Sequence, residues 1–323
     1  MRRAYALIAV VLIAAIGVIA GCSSTSTPAD ANTSVSVAGA FGATPKVTIP
    51  AKTASSTLYT KTVIKGSGAS LGSSGMFYGS YEAYVWSGKT SKLATSTYTS
   101  KQETLFGSDM LPGLSTALKG AKVGSRVLAV IPPKDGFGSS GNSSLGITGT
   151  DTLVFVIDIQ KAIPSTATGK QVSTGGGSLP TVGTTVGKDG PTITIPKGGT
   201  PSSKLTSTTL IQGTGAKVAE NQEVLVNYEG VIWRTGKVFD SSWSRNQAFE
   251  TILTDSQQAE EEGEGVIPGW VTGLTGKTVG SRVLLTIPPA DGYGSSGNSQ
   301  AGIKGTDTLV FVVDILAAVS STS

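Results

Sequence analysis

The sequence predicts an α+β protein made of two copies of one module, each a β-sheet with a single short helix laid against it. Three observations carry this. Residues 124–159 and 280–315 are identical at 28 of 36 positions, and similarity on this scale marks a repeated domain rather than a solenoid unit. The apolar runs mostly follow strand patterns, and the helical signal is confined to one short segment per copy. A length of 323 residues fits two domains, at ~100–200 residues each.

The elements follow in order. Pro45-Lys46-Val47-Thr48-Ile49-Pro50 recurs as Pro191-Thr192-Ile193-Thr194-Ile195-Pro196, and Gly66-Ser67-Gly68-Ala69 as Gly213-Thr214-Gly215-Ala216. Residues 223–233 and 282–287 are apolar or alternating runs, the latter closed by Pro288-Pro289, because proline donates nothing to a ladder. In 308–315, Leu309, Phe311, Val313 and Ile315 share one face and Asp314 takes the other, the period of a half-buried strand. The helix begins near Pro268, tolerated in a first turn. Forty Ser, 41 Thr and 43 Gly suit strands, turns and tethers better than long helices.

The N-terminus reads as an address. Met1-Arg2-Arg3 precedes a 16-residue apolar run, short for a membrane span but suited to a secretory signal. Ile19-Ala20-Gly21-Cys22 resembles the lipobox of bacterial lipoproteins, which implies cleavage after residue 21 and acylation of Cys22, with palmitate among the chains. Two acyl chains anchor stably. The organisation expected is a signal peptide at 1–21, a flexible tether at 22–43, a first domain at 44–163, a linker at 164–187 and a second domain at 188–318. The protein is then exported, lipid-anchored to the cell membrane and faces away from the cytoplasm.

Composition narrows the chemistry. There is no histidine and one cysteine, which removes Ser-His-Asp and Cys-His sites, Cys/His zinc sites and intrachain disulfides. No cofactor and no metal are expected. Residues 41–163 carry 12 basic against 6 acidic side chains, and residues 188–318 carry 10 against 14. Neither half has a dense basic stripe interleaved with aromatics, so no nucleic acid is expected. The positive half suits either solubility or contact with anionic lipids or cell-wall polymers.

In the second copy, Asn227-Tyr228-Glu229-Gly230, Phe239-Asp240-Ser241-Ser242, Arg245-Asn246, Phe249, Val266-Ile267-Pro268-Gly269-Trp270, Gly292-Tyr293-Gly294 and Thr308-Leu309-Val310-Phe311 follow in this order. The set resembles the FKBP-type peptidyl-prolyl cis-trans isomerases. That family's fold is a curved antiparallel sheet wrapped around one short helix. The resemblance implies a pocket with Trp270 as floor and Tyr228, Phe239, Phe249, Val266, Ile267 and Phe311 as walls. It places Asp240 near the substrate carbonyl and paired with Arg245, Tyr293 over the pocket and Ile303 near the rim. Tyr228, Asp240, Trp270 and Tyr293 are the expected catalytic set. Proline-containing exported polypeptides are the implied substrates and rapamycin-type macrolides possible ligands; a monomer is expected. Singly, each aromatic also fits a core role, and Asp240 with Arg245 an ordinary surface pair.

The chemistry needs no nucleophile. Rotating a peptide bond works against a resonance barrier of ~18–20 kcal/mol without making or breaking a bond. An extra segment containing Glu260-Glu261-Glu262-Gly263-Glu264 reads as a solvated loop or as a rim favouring basic substrates. In the first copy, Leu114 stands for Trp270 and Phe137 for Tyr293. The alignment sets Ala94 near Asp240, Tyr98 near Arg245 and Gln102 near Phe249, so that copy is expected to be weak or inactive. The alternative to an isomerase is a surface-tethered, non-catalytic peptide-binding module.

Overall fold

The computed structural model describes residues 30–72, 75–99, 104–107, 110–255 and 265–319. The signal, Cys22 and the acidic run at 260–264 lie outside the described residues. The first module contains β1 (Ser36–Ala38), β2 (Lys46–Thr48), β3 (Tyr59–Ile64), β4 (Phe77–Ser87), β5 (Thr90–Ser96), β6 (Thr104–Phe106), α1 (Pro112–Leu118), β7 (Arg126–Ile131) and β8 (Thr152–Ala162). The second contains β9 (Lys170–Gln171), β10 (Thr181–Gly187), β11 (Gly190–Thr194), β12 (Thr206–Gln212), β13 (Glu223–Ile232), β14 (Lys237–Ser241), β15 (Phe249–Ile252), α2 (Pro268–Leu274), β16 (Arg282–Ile287) and β17 (Leu309–Val319).

The main sheets are antiparallel throughout. In the first module the order is β3-β7-β8-β4-β5, with β6 also on β4; in the second it is β14-β13-β17-β16-β12-β9, with β15 also on β13. The helix packs across one face. Gly269 lets α2 approach closely, since a Cβ there would lie 2.6 Å from Ile287 Cγ2. Trp270 and Leu274 enter a core with Val226, Tyr228, Val283, Leu285, Ile287, Phe311, Val313 and Ile315.

The other sheet face is covered too. The β10–β11 hairpin lays Leu179, Val182, Ile193 and Ile195 on Leu210, Val231, Trp233, Leu284, Val310 and Val312. The 308–315 run is therefore buried on both faces, not half-buried as its alternation suggests, and a strand in that setting is apolar at nearly every position. In the first module the β1–β2 hairpin and the turn before it bring Ala31, Val35, Val37 and Val47 against Trp86, Leu128, Val130, Val154 and Val156.

These hairpins correct two expectations. Residues 30–43 are an ordered strap rather than tether: Asp30 caps a one-turn 3-10 helix at Ala31–Ser34, and Asn32 is fully buried, donating to Thr57 O at 2.8 Å. Residues 164–187 are no free linker either. Ala167 N–H donates to Asp314, β9 pairs with β12, and β10 pairs with β11. Both stretches are small and polar because their hydrogen-bond partners sit on the domain, and composition does not distinguish that from a solvated chain. Boundaries at 44 and 188 cut both hairpins between their strands.

One ion pair recurs beneath each strap. Arg282 Nε donates to Asp314 Oδ1 at 2.6 Å, and Arg126 Nε to Asp158 Oδ1 at 2.6 Å, with all four side chains at most 2% exposed. Asp158 also accepts the Gly42 N–H at 2.7 Å, while Arg126 donates to the Gly39 and Ala43 carbonyls. The modules touch through Met76, Tyr78, Ile163, Leu225, Leu316 and Ala317. There the Tyr78 hydroxyl donates to Ala318 O and accepts from Ala318 N, both at 3.1 Å.

Replacing Asp314 by Asn should leave Arg282 buried without its counter-charge, a loss of about 3–5 kcal/mol. Denaturant unfolding of the full chain measures it, and amide exchange at Ala167 should accelerate. A cost under about 1 kcal/mol would show that the pair contributes little.

Candidate functional site

The site is built on β13 and its two partners along one edge. Residues 223–226 of β13 pair with β15 and residues 229–232 with β14. Between them the partner chain leaves the sheet, and Ser242 stitches the gap: its hydroxyl accepts the Tyr228 N–H at 2.8 Å, and its own N–H donates to Tyr228 O at 3.0 Å. That excursion carries Arg245 back over Tyr228, 5.8 Å from the ring centroid.

Alternation places Tyr228 and Gly230 on the helix side of β13, and Gly230 pairs with Asp240. The Tyr228 hydroxyl donates to Asp240 Oδ2, Arg245 donates to Asp240 Oδ1, and Arg245 Nη2 donates to the Tyr228 hydroxyl at 3.1 Å. Burial, then the hydrogen bond to Asp240, pushes the Tyr228 pKa up to about 12. Burial and the Asp240 charge likewise raise Tyr293. Both phenols therefore stay protonated as donors at neutral pH.

Below this cluster the rings meet edge to face. Trp270 lies 5.2 Å from Tyr228 and 5.3 Å from Phe311, centroid to centroid, at 83° and 89°. Phe239 lies 5.5 Å from Phe311 at 87°, and Phe249 5.6 Å from Tyr228 at 71°. Such pairs fix ring positions beyond simple burial. They enclose an open cavity of about 640 Å³ lined by Tyr228, Phe239, Asp240, Phe249, Gly265, Val266, Ile267, Trp270, Gly292, Tyr293 and Phe311.

Nine of the residues singled out from sequence thus share one cavity. Arg245 stands behind it, holding Asp240 and Tyr228. Ile303 is not at the rim: it is 4% exposed, in the core with Trp270, and locked by a two-way backbone bridge with Asn298. The Ile267 N–H escaped sequence reasoning. It sits at the N-cap of α2, on the cavity, and among the described residues it has no hydrogen-bond partner. Pro268 at N1 was the available signal, since it leaves the N-cap amide facing outward.

Strand register corrects the alignment of the first module. Ala83 pairs with Thr95 as Gly230 pairs with Asp240, so Thr95 replaces the carboxylate and Ala94 replaces Phe239. The Thr97 hydroxyl accepts the Tyr81 N–H as Ser242 accepts that of Tyr228, so Tyr98 matches Trp243 rather than Arg245. Thr104 pairs with Gly79 where Phe249 pairs with Val226, so Thr104, not Gln102, stands for Phe249. Glycine at 230 is itself required: a Cβ would lie 2.6 Å from Phe239 Cζ and 2.9 Å from Phe311 Cε1. The first module accepts Ala83 because Ala94 presents no ring.

A buried carboxylate lies behind the pocket. Glu229 faces the opposite side from Tyr228, under the β10–β11 turn, where a Cβ on Gly190 would come within 3.2 Å of Glu229 Oε2 and 2.8 Å of Trp243. Burial, then the nearby Asp189 charge, raises its pKa to about 7. Its counterpart Glu82 accepts from the Tyr84 and Ser96 hydroxyls at 2.8 and 3.2 Å; Val231 stands where Tyr84 would be.

An antiparallel sheet wrapped on one short helix, with an aromatic cavity at the helix start, defines an FKBP-like module. The family model for FKBP-type peptidyl-prolyl cis-trans isomerases matches residues 79–160 and 215–316, and the chain belongs to this family. An FK506-binding protein of Streptomyces anulatus is 35% identical over 127 residues, covering 39% of this chain and 95% of that one. A Corynebacterium glutamicum protein described as "Probable FK506-binding protein" is 39% identical over 128 residues, covering 40% and 98%. Among solved structures, FkpA of Escherichia coli is 31% identical with a TM-score of 0.32, covering 40% of this chain and 52% of that one.

Gly230→Ala should displace Phe239 and weaken binding of a short Xaa-Pro peptide about tenfold, consistent with the ~1–3 kcal/mol cost of overpacking. Calorimetric titration reads this, and unchanged affinity would refute the role given to Gly230. For Glu229 the folded pKa lies above the unfolded value. Its contribution is therefore fully present at low pH and is lost as pH rises through about 7. Between pH 5 and 8 (about the span of that titration) the Tm of the second module should fall more steeply than that of Glu229→Gln. Parallel profiles would contradict this.

Proposed function

We propose that the second module is a peptidyl-prolyl cis-trans isomerase acting on exported polypeptides, and that the first module is a weak or inactive copy. The observation that carries this is the cavity lined by six aromatic side chains with Asp240 at its edge, set against a first module in which Leu114, Phe137, Thr95 and Ala94 stand for Trp270, Tyr293, Asp240 and Phe239. Acylation of Cys22 would hold the protein at the membrane, outside the cytoplasm.

The proline ring rests on Trp270 between Phe239, Phe249 and Phe311. The Ile267 N–H, which has no hydrogen-bond partner among the described residues, and the Tyr293 hydroxyl are donors for carbonyls flanking the rotating bond. Asp240, held by Arg245 and Tyr228, faces the polarised amide. A peptide seated on these rings displaces water that favours the planar, resonance-stabilised amide, and the twisted form gains relative to it. A barrier lowered by ~4 kcal/mol corresponds to a rate about a thousandfold higher. Uncatalysed X-Pro isomerisation takes tens of seconds or longer, so a folding exported chain benefits. The same cavity suits macrolides of the FK506 and rapamycin type.

NMR exchange on an Xaa-Pro peptide with the full chain tests the assignment. Trp270→Ala and Asp240→Ala should each lower the rate by about tenfold or more, whereas Leu114→Ala should leave it unchanged. Asp240 is a partly exposed side chain whose removal spares the core. A folded full chain without catalysis would overturn the isomerase reading in favour of a binding module. Loss on Leu114→Ala would overturn the division between modules.

A further inference from the structure

We propose that the first module lies on anionic lipid headgroups through its strap-bearing face, presenting Lys46, Lys52 and Lys61 to the bilayer. This rests on the lipid-anchor reading of Cys22 and adds to it an orientation and a headgroup chemistry.

Distance is the first argument. The strap is bonded to the module from Asp30 onward: Ala31 and Val35 are buried in the cluster beneath it, and Asn32 exchanges hydrogen bonds with Ser55 and Thr57. Cys22 is thus eight residues from the docked chain, a reach of at most about 28 Å even when fully extended. A tether running to residue 43 would have allowed roughly 75 Å. The module is held next to the surface, and the chain joins it at the strap face.

Charge is the second argument. Lys46 alternates with the inward Val47 on β2. The carbonyl of Lys52 accepts the Trp86 indole N–H at 2.9 Å, which fixes that lysine beside the strap. Lys61 shares the face of Tyr59, which packs under the strap. All three are exposed, and among the described residues none has an ion pair. The described acids within 41–163 offer little opposition. Glu82, Asp151 and Asp158 are at most 4% exposed, and Asp135 pairs with Lys134. Asp30, on the strap face, caps the 3-10 helix by accepting the Asn32 N–H at 3.0 Å.

Among the described residues of 41–163, the lysines are exposed while Arg126 and three of the four acids are buried, so the charge displayed outward is mostly basic. The second module, with 10 against 14, is repelled by the same surface. The two modules together form a charge dipole that a negatively charged bilayer orients, basic module inward.

The test uses residues 23–323, which contain every described residue and no acylation site, with vesicles of phosphatidylglycerol and phosphatidylcholine or of phosphatidylcholine alone. Sedimentation should show binding to the anionic vesicles only, weakening strongly from about 0.05 to 0.5 M salt. Each lysine should contribute about fivefold, so Lys46→Gln with Lys52→Gln and Lys61→Gln should lower partitioning about a hundredfold and leave peptide isomerisation unchanged. The control replaces Lys204, Lys217 and Lys277 of the second module and should bind as the parent does. No anionic preference, an unaffected triple variant, or binding to soluble polyglycerol phosphate but not to vesicles would each overturn the proposal. Mass spectrometry of Cys22 in chain extracted from cells tests the anchor separately: an unmodified cysteine with intact vesicle binding would remove the anchor and leave the lysine face standing.

Discussion

The buried Arg–Asp pair on the two central strands of each sheet is the constraint around which the modules are organised. Arg282 and Asp314 are direct cross-strand partners, as are Arg126 and Asp158. Neither charge is tolerable there alone, because desolvation in the interior costs several kcal/mol per ion. The carboxylate's remaining capacity is filled by a strap amide, from Ala167 in one module and Gly42 in the other. The pair therefore closes the back of the sheet as well as the register of its centre. With the back closed, the apolar strands are buried on both sides and the front is free to carry a pocket.

Scaffold and pocket are separable for that reason. The first module keeps the ion pair, the strap, the glycine-mediated helix approach and the Thr97 stitch, yet it has replaced the indole, the carboxylate and the phenol. Its replacements are coupled sterically. Ala83 is compatible with Ala94 but would collide with a phenylalanine in that place. Phe106 stacks on Phe77 at 4.4 Å and meets Tyr81 edge-on at 5.5 Å, so aromatic packing against the tyrosine shared by the two modules persists by another route. The strands and the buried ion pairs are common to both modules, while most residues of the cavity differ between them.

The contact between modules follows the same logic. The end of β17 runs past β16, which leaves Ala318 with backbone groups on an open edge. The Tyr78 hydroxyl of the first module meets both the N–H and the carbonyl there, and Met76, Ile163, Leu225 and Leu316 dry the surroundings. A substitution in either module at this contact is felt by the other, because an unpaired buried backbone group is costly.

The amino-acid sequence by itself determined the repeat, the strand character of the sheets, the helix at Pro268 and nine of the cavity residues. These are local properties, of periodicity, of proline geometry and of an ordered motif, and they survive reading along a line. Only the tertiary structure decided what the small polar segments do. Strap and tether have the same composition, and they differ in whether Arg126, Asp158, Asp314 and a bare apolar sheet face stand opposite them. It also decided the register that sets Thr95 against Asp240, the burial of Ile303, an Ile267 N–H without a partner among the described residues, and the raised pKa of Glu229. Each of these is fixed by groups far away in sequence, through close approach and exclusion of water, and no local pattern encodes such distances.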